Sequence, residues 1–131
     1  MSRENVEVVR RMMDAFLQAD FETALASYDA DVEWDGTNLP DGQVGRGHEA
    51  ILNHMIRWAD QWDEWNVEVE RVIDAGEEQV VVFIRETGKS KSGLAMDELH
   101  AELYSLRDGK VVRRRGFSDP NEALEAAGLR E

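Results

Sequence analysis

The second half of the chain leaves few ways to fold. From Trp65 to Ser118 four strand-like segments follow one another, separated by short polar turns. "WNVEVERVI" sets Trp65, Val67 and Val69 against Glu68 and Glu70, the two-residue alternation of a strand with one wet face. "QVVVFI" (Gln79 to Ile84) is apolar throughout and predicts a central strand. "TGKSKSG" reads as a polar hairpin loop. The next segment, Leu94 to Leu106, is long enough to call for a bulge or bend. Asp108-Gly109 then signals a tight hairpin into "KVVRRRGFS". Such a half must form an antiparallel sheet, and the rest of the chain must cover it.

The first half reads as that cover. A helix starts near Ser2, an N-cap residue, with Glu4 in the first turn where the helix dipole favours an anion. Val6, Val9, Met13 and Phe16 make its apolar face. Asp20 caps a second, short helix, with Leu25 and Tyr28 expected to be buried. "DVEW" (Asp31 to Trp34) reads as a short strand. "GTNLPDGQVGRG" (Gly36 to Gly47) has turn formers and no periodicity, which predicts a mobile loop gating a pocket. A third helix is expected from His48 to Trp62, with Ile51, Met55, Trp58 and Trp62 on one face. After the strands, "DPNEALEAAG" is a terminal helix with Asp119 as N-cap, Pro120 first, Glu122 completing a capping box and Gly128 as C-cap. The order predicts one α+β domain over residues 1–131: three N-terminal helices on a curved antiparallel sheet, then a short helix.

Charge narrows the function classes. The 131 residues carry a formal net charge of −13, which repels nucleic acid and anionic membrane surfaces. With no cysteine there is no disulfide framework, thiol nucleophile or thiolate metal site. The amphipathic start "MSRENVEVVRRMM" and the absence of a long apolar run predict a soluble, cytoplasmic protein.

"DADVEW", "GRGHEAI", "YSLRDGKVVR" and "FSDPNEALEAAGL", in this element order, resemble the SnoaL-like branch of the nuclear transport factor 2-like superfamily across essentially the whole chain. The resemblance implies a conical fold whose sheet wraps a pocket closed by helices, and it implies a homodimer. Polyketide cyclases, ketosteroid isomerase and limonene epoxide hydrolase share that fold. By the same resemblance, Trp34 falls nearest the place of the isomerase's base, with Asp35 one residue later. Phe16 corresponds to its oxyanion tyrosine, and Glu102 to its second oxyanion donor. Gly116 stands where the epoxide hydrolase has an aspartate. A histidine often occupies the place of Glu102 in SnoaL-like relatives. Neither steroid isomerisation nor epoxide hydrolysis is therefore expected as such.

The candidate site centres on "LHAELY". His100, Glu102 and Tyr104 share one strand face, and the fold's parity turns that face into the cone. Leu99, Ala101 and Leu103 pack on the other. Arg114, on the neighbouring strand, is the expected partner of Glu102, as an acid/base or substrate-anchoring pair or as a structural ion pair. His100 is either a proton shuttle or a satisfied core histidine. Asp35 is a candidate base or a turn residue. Phe16, Trp34, Met55 and Trp58 are expected to line an apolar, substrate-binding cavity with Asp35 and Tyr104. His48, expected to be exposed, and His54 are six apart, off the spacing that binds metal on a helix, so no metal site is expected. Arg113 and Arg115 are expected to pair with acidic neighbouring strands rather than nucleic acid. A homodimer is expected through the sheet, using Trp65, Val67, Val69 and the outward faces of the last strands.

Two functions fit. One is a cofactor-free cyclase, isomerase or dehydratase that abstracts a proton α to a carbonyl on a small hydrophobic molecule. Glu102 or His100 would be base, with Arg114 or Tyr104 stabilising negative charge. The other is a non-catalytic ligand-binding or scaffold protein of the same fold.

Overall fold

A computed structural model describes residues 2–38, 42–76 and 78–129. The elements are α1 (Ser2–Leu17), α2 (Phe21–Ala26), β1 (Tyr28–Asn38), β2 (Val44–Arg46), α3 (His48–Asp60), β3 (Trp62–Asp74), β4 (Gln79–Ser90), β5 (Ala95–Arg107), β6 (Lys110–Phe117) and α4 (Pro120–Ala126). The architecture is α+β, with four helices and a curved, open, mostly antiparallel six-stranded sheet. Strand order is β2-β1-β6-β5-β4-β3, and among the described residues only the β1–β6 pair is parallel.

Local signals account for most boundaries. Asp20 caps α2 by accepting a hydrogen bond from the Thr23 N–H, and Asp119 caps α4 by accepting one from the Asn121 N–H. Asp108 and Gly109 both have positive φ (53° and 76°), as a two-residue hairpin turn demands. The bulge expected in the long fifth strand occurs against β6, between Ser105 and Leu106. α1 already includes Ser2, so the position preceding it, where a cap would sit, lies outside the described residues.

Three expectations need correction. The loop expected over 36–47 is largely a hairpin. β1 runs to Asn38, the Gly36 N–H donates to the Gln43 carbonyl at 2.7 Å, and β2 pairs with β1; residues 39–41 lie outside the described residues. Periodicity failed there because β2 is a three-residue edge strand with no buried face. The third helix ends at Asp60, and Trp62 opens β3, because a helical run of apolar spacings can continue by coincidence into a strand. Leu25 is only partly buried, and Tyr28 belongs to β1 rather than α2.

The sheet has a core on each face. On the concave face α1, α2 and α3 bury Val9, Met12, Met13, Ile51 and Met55 against Tyr28, Val32, Val82, Ile84 and Tyr104. On the convex face α4 lays Ala123 and Leu124 over Val81, Ala101, Leu103 and Phe117. Val67 and Val69 pack into the concave core and Trp65 faces the same cavity, so these residues cannot serve an outer dimer surface.

Candidate functional site

The concave face encloses a cavity of about 710 Å³, lined by α1, α3 and strands β1 and β3 to β6. Phe16, Trp34, Met55, Trp58 and Tyr104 line it as expected, and so do His100, Glu102 and Arg114. All four tryptophans of the chain are in its wall. Asp35 is not. Its carboxylate accepts hydrogen bonds from Arg113 at 3.0 Å and from the Thr37 N–H at 3.0 Å, on the opposite side of β1. Those Thr37 hydrogen bonds, with help from Arg113, hold its carboxyl below the usual range. The one-residue offset from Trp34 reversed its face. None of the described residues between 36 and 47 lines this cavity, and residues 39–41 of the expected gate lie outside the described residues. Ser90, Ser92 and Leu94, at the β4–β5 hairpin, stand at its edge instead.

At the cavity floor the Glu102–Arg114 pair forms. Arg114 lies opposite Tyr104 in the β5–β6 register, one diagonal step from Glu102. Its Nε donates to Glu102 Oε2 at 2.8 Å and its Nη2 donates to the same oxygen. Nη1 donates to the Tyr28 hydroxyl at 3.0 Å, and that hydroxyl donates to Met12 Sδ at 3.3 Å. Tyr104 completes the set by donating its hydroxyl to Glu102 Oε1 at 2.7 Å. The guanidinium also lies 5.2 Å from the Trp34 ring centre and 5.6 Å from that of Tyr104. Glu102 and Arg114 are only 4% and 9% exposed. Burial pushes the Glu102 carboxyl up, but Arg114, His100 and the Tyr104 hydroxyl together outweigh it and hold it below its usual value. Burial also drives the Tyr104 and Tyr28 hydroxyls up. In Arg114 burial pulls the other way, but Glu102, Tyr104 and Tyr28 together outweigh it, so its proton is bound more firmly still. The floor is therefore charged yet neutral as a pair, with both carboxylate oxygens of Glu102 hydrogen-bonded.

A second polar cluster escaped the sequence reading. Glu86 Oε2 accepts hydrogen bonds from the indole N–H groups of Trp58 and Trp65, each at 2.8 Å. His100 Nε2 stands 3.3 Å from Glu86 Oε1. The signal was present: Val80, Val82, Ile84 and Glu86 share one strand parity, so the glutamate falls on the buried face. Ending the strand at Ile84 hid it.

The remaining candidates are structural in this geometry. His48 is partly buried rather than exposed, and its Nε2 donates to the Tyr28 carbonyl at 2.8 Å. His54 packs on Trp34 at 4.3 Å between ring centres and stands with it in the cavity wall. Arg113 pairs with Glu33 and Asp35, and Arg115 reaches Asp35 at 4.0 Å, so both meet the acidic β1. Among the described residues no group of three or more His, Cys, Asp or Glu side chains is placed to hold a metal ion. Among the described residues no helix is long and apolar enough to cross a membrane.

This layout is that of nuclear transport factor 2-like proteins, and solved structures bear out the fold. An NTF2-like protein from Burkholderia pseudomallei superposes with a TM-score of 0.77 at 20% identity, covering 93% of this chain and 95% of that one. TerC, co-crystallised with polyporic acid, gives 0.77 at 22% identity over 95% and 98% of the two chains. A Mycobacterium tuberculosis protein in complex with estradiol-17β-hemisuccinate gives 0.71 at 16% identity over 87% and 92%. No curated protein matches by sequence. The family model for the SnoaL-like domain matches residues 9–114, and the chain belongs to that family.

Proposed function

We propose that the cavity binds a small hydrophobic molecule and that the protein acts on it as a cofactor-free cyclase, isomerase or dehydratase, by proton transfer on a carbonyl compound. The cavity itself carries this reading: apolar walls from α1, α3 and β3 surround a few convergent polar groups. Two structurally similar proteins hold polyporic acid and estradiol-17β-hemisuccinate, which supports a ligand of that kind here. Glu102 spends both oxygens on three protein donors and holds its proton weakly, so the base of this reading is His100. Arg114 uses Nε and one N–H each of Nη1 and Nη2, which leaves N–H groups free to meet developing negative charge.

A second reading, a ligand-binding protein without chemistry, is favoured by the same saturation of Glu102 and by Phe16, which packs against Phe21 and Trp65 and offers no hydroxyl. The homodimer rests on the family resemblance alone.

The test is a titration with estradiol-17β-hemisuccinate, followed by the fluorescence of the four wall tryptophans. A saturable change is expected, and none up to the probe's solubility limit would overturn the pocket reading. Exchange of the α-protons of 2-tetralone in D2O then separates the two. Exchange that is lost in His100→Gln supports the enzyme, and binding without exchange supports the second reading.

A further inference from the structure

The two polar clusters of the cavity differ in what they leave unspent. At the floor, Glu102 Oε1 is taken by Tyr104 and Oε2 by two N–H groups of Arg114. Glu86 is different. Both indoles converge on Oε2, and Oε1 has only the 3.3 Å approach of His100. A carboxylate oxygen has room for about two donors. Glu86 is 6% exposed, yet it meets no lysine or arginine among the described residues. Its cross-strand partner in the β4–β5 register is Glu98, another carboxylate. Arg85, the nearest arginine in sequence, points to the other face and pairs with Glu70 and Asp97.

A buried carboxylate without a cationic partner is costly unless hydrogen-bond donors surround it. The two indoles supply part of that shell and fix the carboxylate in place. Both rings are themselves wedged: Trp58 against Trp62 at 5.4 Å and Trp65 against Phe16 at 5.8 Å between ring centres. The free oxygen is thus pre-oriented in the wall of an apolar cavity.

We propose that Glu86 Oε1, beside His100, is the subsite for a hydrogen-bond donor on the ligand: a hydroxyl of phenol, enol or alcohol type. This rests on the reading of the cavity as a small-molecule site and deepens it. The ligand is then an apolar body bearing at least one O–H, anchored at the Trp58–Trp65 end of the cavity. The Arg114 floor, by contrast, already gives each oxygen of Glu102 a hydrogen bond and offers the remaining N–H groups of the guanidinium, so it suits an acceptor on the ligand.

A matched pair of probes isolates the donor. 2-Naphthol and 2-methoxynaphthalene share an apolar body and an ether-type or hydroxyl oxygen, and only the first can donate. Calorimetric titration should show wild-type protein binding 2-naphthol about tenfold or more tightly than 2-methoxynaphthalene, as a hydrogen bond to a charged acceptor implies. In Glu86→Gln the charge is gone and the preference should fall to about twofold or less, while 2-methoxynaphthalene affinity stays near the wild-type value. Equal affinities of the two probes in wild type would overturn the subsite and leave the pocket standing. A full preference surviving in Glu86→Gln would also overturn it. Failure of both probes to bind would overturn the subsite together with the pocket reading. Should Glu86→Gln not fold, the wild-type comparison alone decides.

Discussion

Replacing Arg114 by methionine should be among the most damaging single changes to this fold, through charge rather than volume. Methionine roughly keeps the unbranched stem that packs beside Trp34 and Tyr104, so little cavity opens. What disappears is the cation that holds Glu102, a carboxylate 4% exposed, together with a donor to the buried Tyr28 hydroxyl. Breaking a buried pair from one side costs roughly 3–5 kcal/mol, a large part of the ~5–15 kcal/mol that holds a domain folded. For a chain of this size that is a melting-point loss on the order of 10–20 °C. The stranded carboxylate can escape by taking up a proton, so the deficit should shrink on going from pH 7 to pH 5. Removing the charge from the other side should also relieve it. The double variant Glu102→Leu with Arg114→Met should recover much of the loss, since an apolar pair can replace a buried ion pair at little cost. Urea denaturation of wild type, single and double variants at both pH values reads all three effects. A single variant within about 1 kcal/mol of wild type, or a double variant as unstable as the single, would refute this electrostatic account.

Glu102 also sets an acid limb of stability. Its carboxyl is held below its usual value near 4.5, so its contribution is present above that pH and is lost as pH falls through the lower folded value. Glu102→Gln should flatten the loss of melting temperature below about pH 4.5, at the cost of lower stability at pH 7. In β4 a Cβ at Gly88 would run into the backbone carbonyl of Glu64 on β3, so Gly88→Ala should cost roughly 1–3 kcal/mol by overpacking, measured by the same urea titration. Sedimentation at tens of micromolar should give a dimer, and a monomer would remove that expectation.

Parts of the fold were legible where local chemistry and periodicity agreed. Asp119-Pro120, Asp108-Gly109 and the alternation of Trp65, Val67 and Val69 each state their element in a few residues. The shared face of His100, Glu102 and Tyr104 followed from strand geometry, its inward direction and the Arg114 partner across the hairpin from the parity that the family resemblance implies, and the structure closes that network. β2 was hidden because a three-residue edge strand has no buried face to create a pattern. The error at Trp65 and Val67 was of another kind. Alternation shows that a strand has two faces, but not which of them meets the helices. Glu86 was missed because a carboxylate surrounded by indoles has no motif. Its partners come from α3 and β3, 28 and 21 residues away along the chain.

The central claim is that the concave cavity holds a small hydrophobic molecule, and native mass spectrometry of protein taken gently from cells tests it most directly. The account predicts an extra mass of one small organic molecule on part of the wild-type population, released on denaturation. It also predicts that the extra mass is lost in Ile84→Trp, which fills the cavity from β4 while leaving Glu86, His100 and the floor unchanged in sequence. Wild-type protein that binds no small molecule from cells or from a panel of aromatic and steroidal compounds, or Ile84→Trp binding as wild type does, would contradict it.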